Sequence, residues 1–139
     1  MGSDARVEIA AAGDILTARQ RGRALAIQLG FSGSQTTLIA AAISEVARNI
    51  VQYASRGELI FDVIETGTRR GMQIVARDEG PGIADLARAM QYGYSTGGGL
   101  GVGLPGAKWL MDEFEIVSKP GAGTTVTMKK WVSHLGTNG

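Results

Sequence analysis

The stretch ISEVARNI, residues 43–50, carries a carboxylate and a carboxamide four positions apart, Glu45 and Asn49. On a helix this spacing places both side chains on one face, about one turn from each other. Their oxygens are hard donors, which suit a Mg²⁺ site or a division of roles between one base and one metal ligand. Two solvated polar residues on an amphipathic helix would give the same pattern, so the pair alone leaves both interpretations open.

A second acid, Asp78, ends a strand-like run in which positions 72, 74 and 76 are apolar. Because Asp78 has the same parity as these positions, its carboxylate is expected to face the interior, where it needs a partner. An exocyclic amine such as that of adenine would be a suitable one. Gly80 and Gly82, separated by Pro81, would let the backbone turn sharply beside a ligand. The alternative is a strand-ending acid followed by a Pro-Gly turn.

The stretch YSTGGGLGVGLPG, residues 94–106, has six glycines in thirteen positions. Closely spaced backbone N–H groups that lead into a helix, with Pro105 in its first turn, are suited to holding phosphates. The stretch lacks the Gly-Lys-Ser/Thr ending of a P-loop and does not follow a strand within a βαβ unit, which excludes a Rossmann fingerprint. A flexible loop is the alternative.

A fourth motif, PGAGTTV at residues 120–126, places Thr124 and Thr125 at the start of the last strand. Alone it predicts only a hairpin turn.

The elements that must position these motifs follow from hydrophobic periodicity and from turn residues. We predict a strand at 6–11, helices at 14–29 and 32–55, strands at 58–65 and 72–78, a short helical piece at 85–93, a helix at 104–112 and a hairpin from 114–119 and 124–132. Gly30 is expected to end the first helix. Strands and helices in separate blocks predict an α+β two-layer sandwich, with a mixed sheet covered on one face by helices.

The composition is that of a globular protein: 139 residues with 44% hydrophobic and 19% charged residues. We expect one domain at 5–132, with flexible termini at 1–4 and 133–139. A formal net charge of +1 argues against a nucleic-acid surface, and the absence of cysteine excludes disulfides and thiolate metal sites. No apolar run has membrane-spanning length and no signal peptide is apparent, so no membrane partner and a cytoplasmic location are expected.

Taken together, the four motifs resemble the boxes of the GHKL ATPase and kinase superfamily, which shares the Bergerat nucleotide-binding fold. The E-x-x-x-N box would be Glu45 to Asn49, the D-x-G-x-G box Asp78 to Gly82, and the G-x-G-T-T box Gly121 to Thr125. The short lid that ends in GGGLGVGL resembles that of the bacterial anti-sigma-factor serine kinases. Within that group the runs STGGGLG and LMDEF are most similar to the switch kinases of the stressosome. The single histidine, His134, lies in the tail, so histidine autophosphorylation is not expected.

The resemblance implies a serine/threonine kinase with ATP and Mg²⁺, in which Glu45 is the general base and Asn49 the metal ligand. The implied nucleotide-binding residues are Asp78, Gly80, Gly82, Gly97, Gly98, Gly99, Leu100, Gly101, Val102, Gly103, Leu104 and Thr125. Asp78 would bind the adenine amino group, with Thr125 supporting it through water. Lys108 and Arg48 are lesser candidates for phosphate contact, and surface charge is the simpler interpretation of both.

The resemblance also implies partners. The phosphoacceptors would be STAS-domain proteins of a stressosome, and the released kinase would activate a PP2C-type phosphatase. Three alternatives stay open: an anti-sigma factor that binds a sigma factor and phosphorylates its antagonist, a nucleotide-binding switch with negligible turnover, and a free-standing ATPase.

Overall fold

The computed structural model describes residues 5–82 and 103–133. The elements in these ranges are β1 (Ala5–Ile9), α1 (Gly13–Leu29), α2 (Gly33–Tyr53), β2 (Gly57–Thr66), β3 (Arg69–Asp78), α3 (Gly103–Leu110), β4 (Glu113–Lys119) and β5 (Gly123–Trp131). The predicted order of these elements is confirmed. The helical piece expected at 85–93 lies outside the described residues.

The hairpin between β2 and β3 is tighter than its sequence indicated. Thr66 pairs directly with Arg69, so only two residues form the loop, and Gly67 adopts the left-handed conformation (φ 61°) that such loops require. The second strand therefore begins three positions earlier than expected, at 69 rather than 72. Two arginines that were assigned to the turn belong to the strand.

The five strands form one sheet in the order β1-β2-β3-β5-β4, and each pairing among the described strands is antiparallel. The expected α+β sandwich is confirmed, but within these residues the sheet is not mixed. A single helix between neighbouring strands would have produced a parallel pair. Here α1 and α2 cross the sheet in opposite directions, so the chain returns to the end at which β1 finished, and β2 runs back beside it.

The boundary between α1 and α2 is fixed by local chemistry. Gly30 caps α1 in the left-handed conformation (φ 95°) and donates its N–H to the last turn, as predicted. Ser32 begins α2 with a capping box: its hydroxyl accepts from the Gln35 N–H at 3.1 Å, and the Gln35 side chain accepts from the Ser32 N–H at 3.3 Å. Gln35 also donates to the Trp131 carbonyl at 3.1 Å, which attaches the start of α2 to the end of β5.

The core lies between the sheet and the three described helices. Alternate residues of the central strands are buried against the apolar stripe of α2; the largest of these buried side chains are Ile39, Ile43, Val46, Ile50, Leu59, Phe61, Met72, Ile74 and Met128. Gly22 of α1 lies directly against the Ile43 side chain, so the two helices approach closely at this point. The opposite face of the sheet is more polar. There the guanidinium groups of Arg77 and Arg6 hold the pKa of Glu58 below its usual value.

None of the helices in the described ranges is long and apolar enough to cross a membrane.

Candidate active site

The C-terminal half of α2 presents the first two predicted site residues. Ile43, Val46 and Ile50 are buried, and Glu45 and Asn49 are half-buried on the flank of that stripe. The flank position leaves their polar atoms at the border between the core and the surface. The predicted placement of both side chains on one helix face is confirmed.

Both carboxylate oxygens of Glu45 have partners, and the side chain is only 13% exposed. Oε1 accepts a hydrogen bond from the backbone N–H of Gly103 at 3.0 Å. Oε2 lies 3.1 Å from Nη1 of Arg48, one turn further along the same helix. Gly103 is the first residue of α3, so Glu45 joins the middle of α2 to the start of that helix.

Helix α3 is fixed at its other end as well. The ammonium group of Lys130, a residue that is 8% exposed, donates to the Leu110 carbonyl at 2.9 Å and lies 3.6 Å from the Asp112 carboxylate. A cation at a helix C-terminus satisfies free carbonyls and interacts favourably with the helix dipole. Because α3 is held at both ends, the position of the Gly103 N–H relative to Glu45 is well defined.

Asp78 ends β3 with its side chain on the buried face of the sheet, as its parity predicted; the residue is 8% exposed. Its Oδ1 accepts the N–H of Gly80 at 2.9 Å. A carboxylate offers about four lone-pair positions, so this bond leaves capacity for a further donor. A buried acid with acceptor capacity suits an exocyclic amine.

Two glycines bring the end of α2 against the end of β3. A Cβ on Gly80 would lie 2.6 Å from the Ala54 Cβ, and one on Gly57 would lie 3.0 Å from both the Asp78 Cβ and the Ile50 Cγ2. No larger residue fits at either position without a shift of its neighbours. The C-terminal end of α2, the helix that carries Glu45 and Asn49, therefore packs against the end of β3 that carries Asp78.

The fourth motif packs against the second. Gly82 (φ 78°) lies against the Lys119 carbonyl, and Gly123 (φ 86°) lies against the Asp78 carbonyl, at separations that leave no room for a Cβ. Residues 120–122 form the turn between β4 and β5, and Gly123 begins β5. The turn is thereby held beside the strand end that carries Asp78.

The register of β3 and β5 assigns the two threonines to different faces. Thr124 pairs with Asp78, is 5% exposed and shares a 2.7 Å hydrogen bond with the Ser118 hydroxyl. Thr125 pairs with Arg77, whose side chain is exposed on the other face of the sheet. Because side chains alternate along a strand, Thr125 cannot lie beside Asp78 on the buried face. The register therefore places Thr124, rather than the expected Thr125, next to Asp78.

Thr124 was not among the predicted nucleotide-binding residues, and its position beside Asp78 is what the structure adds. A signal was available, since Thr124 has the same parity as Val126 and Met128, which are the buried positions of β5. Applying to β5 the alternation that was used for β3 would have selected it.

The remaining predicted residues divide into two groups. Gly97, Gly98, Gly99, Leu100, Gly101 and Val102 lie outside the described residues. Gly103 contributes its N–H to Glu45, whereas the Leu104 side chain is buried in the core at 4% exposure. Pro105 lies in the first turn of α3, as predicted, and Lys108 is exposed on that helix.

The donor set fits Mg²⁺ bound together with phosphates better than a closed metal site. In residues 5–82 and 103–133 no group of three or more His, Cys, Asp or Glu side chains could enclose a metal ion. Mg²⁺ commonly takes one or two protein oxygens and completes its shell with water and substrate phosphates. The carboxamide of Asn49, beside the carboxylate of Glu45, is consistent with that pattern.

Residues 10–130 match the family model of the histidine kinase-like ATPase domain, so the chain belongs to this family. It is 45% identical over 132 residues to the serine/threonine-protein kinase RsbT of Bacillus subtilis, which covers 95% of this chain and 99% of that protein. It is 33% identical over 111 residues to an anti-sigma F factor of Halalkalibacterium halodurans, with 74% of each chain covered.

Solved structures share the fold. The RsbU and RsbW domains of Rv1364c from Mycobacterium tuberculosis match with a TM-score of 0.60 and 21% identity, over 91% of this chain but 32% of that longer one. The mycobacterial sensor histidine kinase MprB matches with a TM-score of 0.54 and 13% identity, over 91% of this chain and 96% of that one. At these identities both likenesses concern the fold alone.

Family membership and the similarity to RsbT confirm the predicted superfamily and the predicted enzyme class, a serine/threonine protein kinase with an ATPase-type nucleotide-binding fold.

Proposed function

We propose that the protein transfers the γ-phosphoryl group of ATP to a serine or threonine hydroxyl of a protein acceptor, with Glu45 as general base. The observation that carries this proposal is the placement of Glu45. Its carboxylate is largely shielded from water and is held by two neighbours. It belongs to α2, whose C-terminal end packs against the strand end that carries Asp78. A carboxylate used only for solubility would not be held in this way.

We assign the adenine end of ATP to the C-terminal end of β3, where Asp78 lies. Asp78 accepts a hydrogen bond from the exocyclic amine of adenine, since its bond to the Gly80 N–H leaves other lone pairs of the carboxylate free. Thr124, opposite Asp78 on the buried face, supplies a hydroxyl that can reach the base directly or through water. The tight backbone packing at Gly82 and Gly123 keeps these groups in place.

The phosphate end is assigned to α2 and to the chain that leads into α3. Asn49 would ligate Mg²⁺, and the backbone amides of 97–102 and of Leu104 would hold the phosphates, since the Gly103 N–H is donated to Glu45. Mg²⁺, when bound, neutralises phosphate charge that develops during transfer. The protein's own contribution is positioning, which accounts for much of the catalysis in reactions of this kind.

Glu45 takes the proton of the incoming hydroxyl as the oxygen–phosphorus bond forms and the bond to ADP breaks. The products are a phosphorylated acceptor and ADP, and the proton leaves from the Glu45 carboxyl group to solvent. Removal of a general base lowers transfer by about 10²- to 10⁴-fold.

The acceptors that we propose are STAS-domain proteins of a stressosome, and the activated partner is a PP2C-type phosphatase, all in the cytoplasm. The similarity to RsbT supports this partner-switching role, since it extends over nearly the whole of both chains.

The test is a transfer assay with γ-labelled ATP, Mg²⁺ and purified STAS-domain proteins of the same organism, accompanied by calorimetric ATP binding. We expect label on an acceptor serine or threonine. Glu45→Gln should lose transfer but keep ATP affinity, Asp78→Asn should lose affinity, and Glu65→Gln, which changes an exposed carboxylate, should resemble the wild type.

Other results would assign the protein differently. Undiminished transfer by Glu45→Gln would remove the base assignment. Tight ATP binding with no labelled acceptor would favour a nucleotide-binding switch, and rapid phosphate release without an acceptor would favour a free-standing ATPase.

A second candidate function is an anti-sigma factor that binds a sigma factor and phosphorylates its antagonist. The similarity to an anti-sigma F factor at 33% identity favours it. Capture of a sigma factor from the same organism by the tagged protein with ATP, with release by an antagonist protein, would support this candidate over the stressosome role.

A further inference from the structure

The ion pair between Arg48 and Glu45 differs from the other ion pairs of the described residues in that its guanidinium nitrogen is buried and has no hydrogen bond. Nη1 of Arg48 is buried and lies 3.1 Å from Oε2 of Glu45, yet within residues 5–82 and 103–133 it has no hydrogen bond of acceptable geometry. The exposed pair of Arg6 and Glu58 has the same separation, 3.1 Å, and does form a hydrogen bond. As a stabilising contact the Arg48 pair is therefore the poorer of the two.

A buried guanidinium N–H without an aligned acceptor has a desolvation cost and calls for an explanation. Stability does not provide one, since helical pairs at this spacing contribute only about 0.2–0.5 kcal/mol. The position of the pair does provide an explanation, because Glu45 is the carboxylate that the proposed reaction uses as its base.

Glu45 is held from two directions by two different elements. The Gly103 N–H of α3 fixes Oε1, and the Arg48 guanidinium of α2 lies beside Oε2. With the hydrogen bond at Oε1 as its one contact, the carboxylate group could still rotate around that hydrogen bond. The hydrogen bond at Oε1 and the ion pair at Oε2 together restrain the plane of the group and hence the direction of the lone pairs that remain for a hydroxyl proton.

We infer that Arg48 is a positioning residue for phosphoryl transfer, which acts by orienting the carboxylate of Glu45. This inference rests on the proposed function, because it takes Glu45 as the general base. Arg48 itself touches neither ATP nor the acceptor in this assignment. Its removal therefore lowers the rate of transfer and leaves nucleotide affinity unchanged.

The test is a double-mutant cycle on the full chain, with Arg48→Gln, Glu45→Gln and the double variant, assayed for single-turnover transfer to the STAS-domain acceptor of the assay above. Calorimetry gives the Kd for ATP, and thermal melting verifies folding. Arg6→Gln is the matched control, since it breaks an arginine–glutamate pair of equal separation on the face of the sheet that is turned away from the helices.

We expect Arg48→Gln to lower the transfer rate about tenfold, which corresponds to about 1.4 kcal/mol of lost positioning, with the Kd for ATP within about twofold of wild type. In the Glu45→Gln background the same change should cost less than about twofold, because the group that it orients is already absent. Arg48→Lys, which keeps the charge but not the planar fork, should recover part of the rate.

Three results would overturn the inference. Rate losses that multiply in the double variant, together with a weaker Kd for ATP, would mean that Arg48 contacts the phosphates directly. A wild-type rate for Arg48→Gln would reduce the contact to a surface ion pair. A lowered melting temperature with a normal rate per folded molecule would make it purely structural. If Glu45→Gln itself transfers normally, the proposed base fails, and that outcome is visible in its own arm of the cycle.

Discussion

At the scale of single residues, the site depends on side chains whose polar atoms lie at the edge of the core. Asp78 is almost fully buried and retains acceptor capacity beyond its bond to Gly80. Glu45 is largely shielded and held by two neighbours. Polar groups buried to this extent require defined partners, which is why their positions can be assigned functions.

The register of β5 yields a prediction that separates the two threonines. Thr124→Val removes a buried hydroxyl opposite Asp78 and changes the shape of the side chain little, so we expect about tenfold weaker ATP binding. Thr125→Val, on the other face of the sheet, should bind ATP as the wild type does. Calorimetric titration of both variants decides the matter, and the reverse result would return the supporting role to Thr125.

At the scale of elements, α2 organises the protein. A capping box fixes its start, Gln35 attaches that start to β5, and its second half carries Glu45 and Asn49 toward Asp78. The cap and Glu45 are thirteen residues apart, about 20 Å along the helix. The two ends of α2 therefore have separable roles, one in stability and one in the site.

This separation predicts the behaviour of Ser32→Ala. Loss of the cap should lower the free energy of unfolding by about 1 kcal/mol, because the Gln35 N–H loses its acceptor. ATP affinity should not change. Urea denaturation monitored by circular dichroism measures the first quantity and calorimetry the second. Thr17→Ala, which removes an exposed hydroxyl on α1 and leaves the cap intact, is the control, and an equal loss of stability in that variant would show that the effect is not due to the cap.

At the scale of the whole molecule, function depends on how closely the helix layer packs. Gly22 lies where α1 meets both α2 and β2, against the side chain of Ile43 and with its hypothetical Cβ 3.2 Å from Cε1 of Phe61. Side chains packed this closely leave no space for additional atoms. The position of α1 thus depends on the absence of a side chain at one residue.

We therefore expect Gly22→Leu to force α1 away from α2 and to lower the free energy of unfolding by about 3 kcal/mol, at the upper end of overpacking effects. Gly13→Leu, at the exposed start of the same helix with no atom within 4 Å of its hypothetical Cβ, should change stability by less than about 0.5 kcal/mol. Denaturant titration of both variants tests this. Equal stability of the two would show that the interface can relax around a leucine.

Much of the fold could be predicted because its signals are local. Gly30 and Ser32 mark a helix end and a helix start by their own chemistry, and the parity of Asp78 with the apolar positions of β3 placed its side chain on the buried face. The spacing of Glu45 and Asn49 likewise fixed their common helix face. Each of these features depends on residues within a few positions of one another.

The tertiary structure decided what depends on distant parts of the chain. The antiparallel pairing of β1 with β2 follows from the path of the two helices between them, which periodicity alone does not reveal. The contact of Gly103 with Glu45 spans 58 positions of sequence. The pairing of Thr124 with Asp78 joins residues 46 positions apart, although alternation within β5 already indicated which face Thr124 occupies. The sequence by itself determined which chemical groups are available and on which local face they lie, because dihedral preferences and burial patterns act over short distances. The tertiary structure determined which of those groups meet, because only packing of the whole chain brings distant segments within hydrogen-bonding distance.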